Sequence, residues 1–152
     1  TGGLDFFRSG NYVFLDRDAY ETREEKDEIY RKSFSADYYF LSASAVTMDG
    51  EILNVDGNGN RIAAMIFGPK KVFVIIGMNK LTADIKEAEE RIRLYAGPMD
   101  AKVLSKQTPC TVTGECSDCR SPERICNKYL VYRREMNPDR MKVILINENL
   151  GY

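Results

Sequence analysis

The chain has 152 residues, of which 43% are hydrophobic and 30% are charged, a composition typical of globular domains. A formal net charge of −1 lacks the basic excess of most nucleic-acid-binding proteins, so we expect no nucleic-acid partner. The sequence contains no histidine, which excludes Ser-His-Asp and Cys-His catalysis and histidine-ligated metals. No apolar run approaches the roughly 18 residues of a membrane span.

The N-terminal half predicts alternating strands and helices. The predicted elements are a strand at 11–15, a helix at 19–34, a strand at 37–41, a hairpin formed by 45–47 and 52–55, and a short helix at 60–66. Asp49-Gly50 marks the hairpin, because glycine tolerates the positive φ of a tight turn. Asn60 is the predicted N-cap of the short helix.

The C-terminal half continues the pattern. The apolar run Val72–Ile76, within a strand at 71–77, is typical of a buried parallel strand. An amphipathic helix is predicted at 81–94, ended by Gly97-Pro98, and its charged face, Glu87–Arg93, is interpreted as solvated. A cysteine-bearing loop at 108–127 precedes strands at 129–132 and 141–146. We therefore predict one α/β domain over residues 1–152.

The four cysteines lie close together in the sequence, as Cys110, Cys116, Cys119 and Cys126, with the spacing C-x5-C-x2-C-x6-C. Four thiolates on a short loop can hold Zn²⁺ or the corners of an iron–sulfur cluster. A zinc site with four cysteine ligands is coordinatively closed, which favours a structural role. The alternatives are free thiols or a redox disulfide between Cys116 and Cys119.

A second group of candidate residues lies on two loops, one between the 52–55 strand and the next helix, the other after the 71–77 strand. Glycines in the first loop let backbone N–H groups approach a ligand. The candidate ligand-binding residues are Asn54, Asp56, Asn58, Asn60, Arg61, Asn79 and Lys80. If both strands belong to one parallel sheet, the two loops share a rim, where a small carboxylate or phosphorylated metabolite would bind. The alternative is a plain turn with a capped helix.

Several segments resemble the LUD-domain (lactate-utilisation) family. The matching segments are 36–42, 45–64, 67–72, 77–80 and 90–93, and the run Thr47–Arg61 is the most specific. The segments 108–127 and 143–152 resemble a cysteine-bearing subgroup of that family.

The resemblance implies a layered α/β sandwich similar to ribose-5-phosphate isomerase, glucosamine-phosphate deaminase and the CoA transferases. It also implies an accessory role in oxidation of L-lactate to pyruvate, beside an iron–sulfur, ferredoxin-like subunit. Compared with the family, we expect the N-terminal helical part to be missing from this chain. The alternatives are an isomerase or transferase for a phosphorylated sugar or CoA thioester, with Glu51 or Asp56 as base or nucleophile, and a non-catalytic module with a structural zinc loop.

The first residues, Thr1-Gly2-Gly3-Leu4, lack the basic and apolar segments of a secretory signal peptide. We therefore expect a cytoplasmic protein, a compartment in which disulfides are uncommon. The absence of an initiating methionine is interpreted as a chain that starts inside a domain.

Overall fold

The computed structural model describes residues 2–152. Seven strands and six α-helices follow one another along the chain. They are α1 (Gly3–Ser9), α2 (Arg23–Lys32), β1 (Tyr38–Leu41), β2 (Ala45–Thr47), β3 (Ile52–Asp56), α3 (Asn60–Ile66), β4 (Lys71–Gly77), β5 (Leu81–Thr82), α4 (Ile85–Arg91), α5 (Gly97–Val103), α6 (Pro109–Thr113), β6 (Lys128–Tyr132) and β7 (Met141–Ile146). Short 3₁₀ turns lie at Arg17–Ala19, Ser33–Ser35 and Met78–Lys80.

The first sheet is parallel and has the strand order β1-β4-β7. The apolar run of β4 lies at its centre, where Val72, Val74 and Ile76 are buried. These side chains pack against Met65 of α3 and Ile52 of β3 in the main core. The predicted buried parallel strand is therefore confirmed, since both of its edges are paired and its apolar side chains fill the core.

The second sheet is mixed and has the order β5-β2-β3-β6. β2 and β3 form the predicted antiparallel hairpin, in which Gly50 at the turn has φ +87°. β6 extends the sheet by pairing antiparallel with β3, and β5 pairs parallel with β2. With helices packed on the sheets, the architecture is the predicted layered α/β fold.

One helical segment differs from the prediction of a helix at 81–94 that stops at Gly97-Pro98. Residues 81–82 form strand β5, and the chain is then helical through α4, a π-helical turn at Ile92–Ala96, and α5. Within the turn the N–H of Gly97 donates to the carbonyl of Ile92, five residues earlier. Pro98 is tolerated because it occupies the first turn of α5, where its missing N–H costs little.

The N-terminal region contains two further differences. Residues 11–15 were predicted to be a strand but pair with no strand, and the Val13 side chain is almost fully exposed. The predicted helix at 19–34 begins only at Arg23, because Thr22 and Glu25 form a capping box that fixes the start of α2. The run of apolar residues at 12–15 thus does not form a strand, and the start of α2 is set by the capping signal at Thr22.

Within residues 2–152, the structure contains no helix both long enough and apolar enough to cross a membrane.

Candidate functional site

Lys80 is a buried lysine at the point where the chain leaves β4. It is 6% exposed, and its Nζ donates to Ser42 Oγ and to the Ala43 carbonyl, both at 3.1 Å. In the described part of the chain, no carboxylate lies within ion-pair distance of this ammonium. Burial, reinforced by the nearby charge of Arg91, lowers the pKa of Lys80.

Arg91 at the end of α4 is turned inward, contrary to its interpretation as solvated charge. Its Nε donates to the Asn79 carbonyl at 3.0 Å and its Nη1 to the Ser44 carbonyl at 2.6 Å. The guanidinium carbon lies 5.6 Å from the centre of the Tyr95 ring, which holds it in a cation–π contact. Its Nη2 is buried and has no hydrogen-bond partner among residues 2–152.

Arg61 reaches the same neighbourhood but is fully engaged within the protein. Its Nε lies 2.9 Å from Asp56 Oδ1, and its Nη2 lies 2.8 Å from the same oxygen. Nη1 donates to the Ser42 carbonyl at 3.1 Å, and Nη2 donates to the Val55 carbonyl at 3.0 Å. Asp56 Oδ2 in turn accepts from the Ile62 N–H in the first turn of α3. The pair therefore joins β3, α3 and the end of β1.

Asp100 on α5 is the carboxylate that faces these cations. Its pKa is raised because the surrounding protein partly desolvates the carboxyl, although the residue remains open to solvent. The charges of Arg61, Lys80 and Arg91 oppose that effect. Within residues 2–152, Asp100 makes no ion pair with these cations at contact distance.

The remaining predicted ligand-binding residues serve different purposes. Asn54 is 1% exposed, and its amide contacts the Ser44 N–H and Met65 Sδ. Asn79 clamps the segment after β7, because its Nδ2 donates to the Gly151 carbonyl and its Oδ1 accepts from the Leu150 N–H. Asn58 is exposed and lines a polar cleft beside α2. Asn60 was the predicted N-cap of α3 but is instead its first residue. The N-cap is Gly59, with φ +90°.

The two predicted loops do not share the rim of one parallel sheet. β3 lies in the second sheet and pairs antiparallel on both edges, whereas β4 is the centre of the first sheet. Lys80 and Arg61 nevertheless meet at Ser42, which follows β1: Lys80 binds its hydroxyl and Arg61 its carbonyl. Convergence arises from the connection between the two sheets rather than from neighbouring strand ends.

The four cysteines line one small cavity of about 20 Å³, about the space of one water molecule. All four are partly buried thiols with no disulfide between them. The helical segment 92–101 forms the other wall, through Ile92, Arg93, Gly97 and Ala101. Tyr129 also lines the cavity, and its pKa is raised by burial and then by the nearby Cys126 thiol.

Hydrogen bonds fix the shape of the cysteine loop. The N–H of Asp118, at φ +49°, donates to Cys116 Sγ at 3.4 Å, so a backbone donor already points at one sulfur. Arg124 donates to the carbonyls of Cys119 and Cys126 at 2.6 and 3.0 Å. Cys110 Sγ lies 3.2 Å from Thr108 Oγ1. These bonds fix the backbone of the loop around the cavity that the four thiols line.

Cysteine thiolates are the usual ligands of zinc and of iron–sulfur clusters, and these four line one cavity. As they stand, however, no three metal-binding side chains within residues 2–152 are grouped closely enough to hold an ion. Binding would thus require the cysteine side chains to rotate inward around the cavity.

Ser42, Arg91 and Asp100 were missed as candidate residues. Ser42 carries no motif, and Arg91 and Asp100 lie on helical faces that look solvated by periodicity alone. A usable signal was the aromatic Tyr95 four residues after Arg91, since residues at that spacing lie on one helix face.

Comparisons with known proteins found a family model and a solved structure that match this chain. The family model described as the LUD domain matches residues 2–146. A solved structure, described as a DUF162 family protein from Deinococcus radiodurans, matches with 14% identity and a TM-score of 0.40 over 76% of this chain. The chain spans 57% of the length of that protein. The search of curated proteins found no match. The family model covers nearly the whole chain, which therefore belongs to the LUD-domain family.

Proposed function

We propose that this chain is a cytoplasmic accessory component of 2-hydroxy-acid oxidation, with L-lactate converted to pyruvate. In this proposal the four cysteines hold an iron–sulfur cluster or zinc, and Lys80 and Arg91 bind the substrate anion. A ferredoxin-like iron–sulfur subunit is the proposed electron-transfer partner. Membership of the LUD-domain family supports the proposal, because the family includes lactate-utilisation proteins.

One observation carries the proposal: a single helical segment separates the cation cluster from the cysteine cavity. Arg91 and Asp100 contribute to the cluster around Lys80. Residues between them, including Arg93 and Gly97, line the cysteine cavity. Conversion of L-lactate to pyruvate releases two electrons and two protons, and side chains alone cannot accept the electrons. A redox group held beside the anion-binding residues would therefore pass the two electrons one at a time to the proposed ferredoxin-like partner, and the protons would go to solvent.

An iron–sulfur cluster, when bound, would supply one-electron transfer. The chain's own residues have three tasks. Arg124 keeps the loop closed through two cysteine carbonyls, and the Asp118 N–H donates to the Cys116 sulfur. Hydrogen bonds to sulfur stabilise the thiolate and tune the potential of such sites. Lys80 and Arg91 supply positive charge for the anion.

The isomerase or transferase alternative needs Glu51 or Asp56 as a free base or nucleophile. Glu51 Oε1 lies 2.6 Å from Arg133 Nη1, and Asp56 is held by Arg61 and the Ile62 N–H. These contacts engage Glu51 Oε1 and both oxygens of Asp56 within the protein. They support the redox proposal over that alternative.

Iron, zinc and acid-labile sulfide, measured in anaerobically purified protein, test the proposal. We expect iron and sulfide in the wild type and their loss in Cys119→Ser. Ser117→Ala is the matched control, since Ser117 lines the same cavity without a thiol. One zinc per chain without iron would overturn electron transfer and favour the structural zinc loop. Folded, metal-free protein with four titratable thiols would overturn both the iron–sulfur cluster and the structural zinc loop.

A further inference from the structure

Two cations near the end of β4 lack any anionic partner in the described chain. Lys80 is 6% exposed, yet its ammonium contacts only a hydroxyl and a carbonyl. Arg91 binds two carbonyls and leaves Nη2 buried without a partner. Buried charges in proteins are normally paired with an opposite charge or coordinate a ligand, because desolvation is costly. The pattern indicates that an anion from outside the chain completes this cluster.

Arg61 provides the contrast within the same neighbourhood. It lies at ion-pair distance from Asp56, and each of its three nitrogens already donates a hydrogen bond within the protein. An incoming anion would therefore have to displace existing bonds at Arg61. At Lys80 and Arg91 the incoming anion would instead meet charged donors that have no carboxylate partner in the described part of the chain.

The charge balance indicates which anion fits. The charges surrounding Lys80 are Arg91, Arg61 and Asp100, and Asp56 neutralises Arg61. Three cations against two carboxylates leave one positive charge, which a monoanion neutralises and a phosphate dianion would exceed. A monocarboxylate also matches the forked donor geometry of a guanidinium.

The segment after β7 passes beside the ammonium. The Gly151 carbonyl is held by Asn79 Nδ2, and Gly151 has φ +63°. A Cβ at this position would lie 3.5 Å from Lys80 Nζ. A side chain at position 151 would thus contact the ammonium, and glycine keeps that side of Nζ free of one.

We propose that Lys80 and Arg91, together with the Ser42 hydroxyl, bind the carboxylate of a small 2-hydroxy or 2-oxo monocarboxylic acid. The 2-hydroxy or 2-oxo part rests on the proposed function, whereas the monocarboxylate part rests on the unpaired cations.

Isothermal titration of the full chain with pyruvate, L-lactate, acetate and inorganic phosphate tests this site. We expect pyruvate or L-lactate to bind more tightly than phosphate. Lys80→Met and Arg91→Gln should each weaken that binding by about tenfold or more, as expected for the loss of one charge-assisted hydrogen bond. Lys86→Met, which removes an exposed charge on the same helix as Arg91, is the matched control and should bind like wild type.

The outcomes of the titration separate the anion site itself from the identity of its ligand. Unchanged binding in both variants would overturn the site, as would tighter binding of phosphate than of the carboxylates. Equal binding of acetate and pyruvate would keep the carboxylate site but overturn the 2-hydroxy or 2-oxo assignment. If Lys80→Met fails to fold by circular dichroism, Arg91→Gln and Gly151→Ala, which fills the space beside Nζ, decide the question. A protein that binds no probe but contains iron and sulfide would overturn this site alone and leave the redox proposal standing.

Discussion

The backbone N–H of Cys116 donates to the carbonyl of Arg93, at an N–O distance of 2.9 Å. This bond joins the cysteine loop to the π-helical turn, in which the widened hydrogen-bond pattern leaves that carbonyl available. The same turn carries Tyr95, whose ring packs on the Arg91 guanidinium. The loop and the cation cluster are thus linked through one turn of helix.

Cys116→Pro tests this link, because it removes the N–H while Cys116→Ala keeps it. We expect the proline variant to lose about 1–2 kcal/mol more unfolding free energy than the alanine variant, since the Arg93 carbonyl loses its partner. Urea denaturation of metal-free protein measures the difference. Equal stability of the two variants would show that the bond does not hold the turn.

The pair of Asp56 and Arg61 is expected to stabilise the fold rather than to bind ligand. The Asp56 side chain is 8% exposed, so Arg61→Ala leaves an uncompensated buried charge and should cost about 3 kcal/mol of unfolding free energy. Chemical denaturation checks the value. The matched control is Lys70→Ala, which breaks an exposed ion pair with Asp37 and should change stability little. A cost for Arg61→Ala no greater than for Lys70→Ala would contradict the structural role.

Glu135 anchors the turn between β6 and β7. It accepts hydrogen bonds from the Tyr132 hydroxyl, the Asn137 N–H and Arg140, which together lower its pKa to about 2. A lowered folded-state pKa adds stability that is present above the ordinary glutamate pKa of about 4.3 and is lost as the pH falls toward 2.

Glu135→Gln should therefore cost about 1–3 kcal/mol near neutral pH, and its difference from wild type should shrink in acid. Unfolding free energies between about pH 6 and pH 2 measure this. Glu89→Gln, an exposed change on α4, is the control. A difference between Glu135→Gln and wild type that stays constant over this range would refute the prediction.

The buried Lys80 predicts a pH dependence of stability in the alkaline range, again with stability rising as the pH rises. Because its pKa is lowered in the folded protein, the unfolded chain binds the proton more tightly, and stability should rise with pH up to the ordinary lysine pKa of about 10.4. Over the same window carboxylate binding should weaken as the ammonium deprotonates. Both trends should be absent from Lys80→Met. Pyruvate affinity that stays constant through this window would rule out a charged Lys80 as ligand donor.

Much of the fold could be predicted because its signals are local. The apolar run of β4 and the Asp49-Gly50 turn each specify one element, and both elements are confirmed. The LUD-domain assignment from the segment around Thr47–Arg61 is confirmed as well. The strand predicted at 11–15 is wrong, because a short apolar run forms a strand only where a neighbouring strand pairs with it, and none does.

The candidate site was harder to predict, because its residues meet through tertiary contacts. Arg61 and Lys80 both contact Ser42, but nothing local shows that Asp56 neutralises Arg61. Arg91 looks like one more surface charge on an amphipathic helix until the π-helical turn and Tyr95 direct it inward. Metal binding by the four cysteines stays a prediction.

The visible absorption spectrum of anaerobically purified protein, before and after dithionite, tests the central claim most directly. The account predicts a brown protein whose absorption bleaches on reduction and which loses its colour in Cys119→Ser but not in Ser117→Ala. A colourless, folded wild type whose spectrum does not respond to dithionite would contradict it.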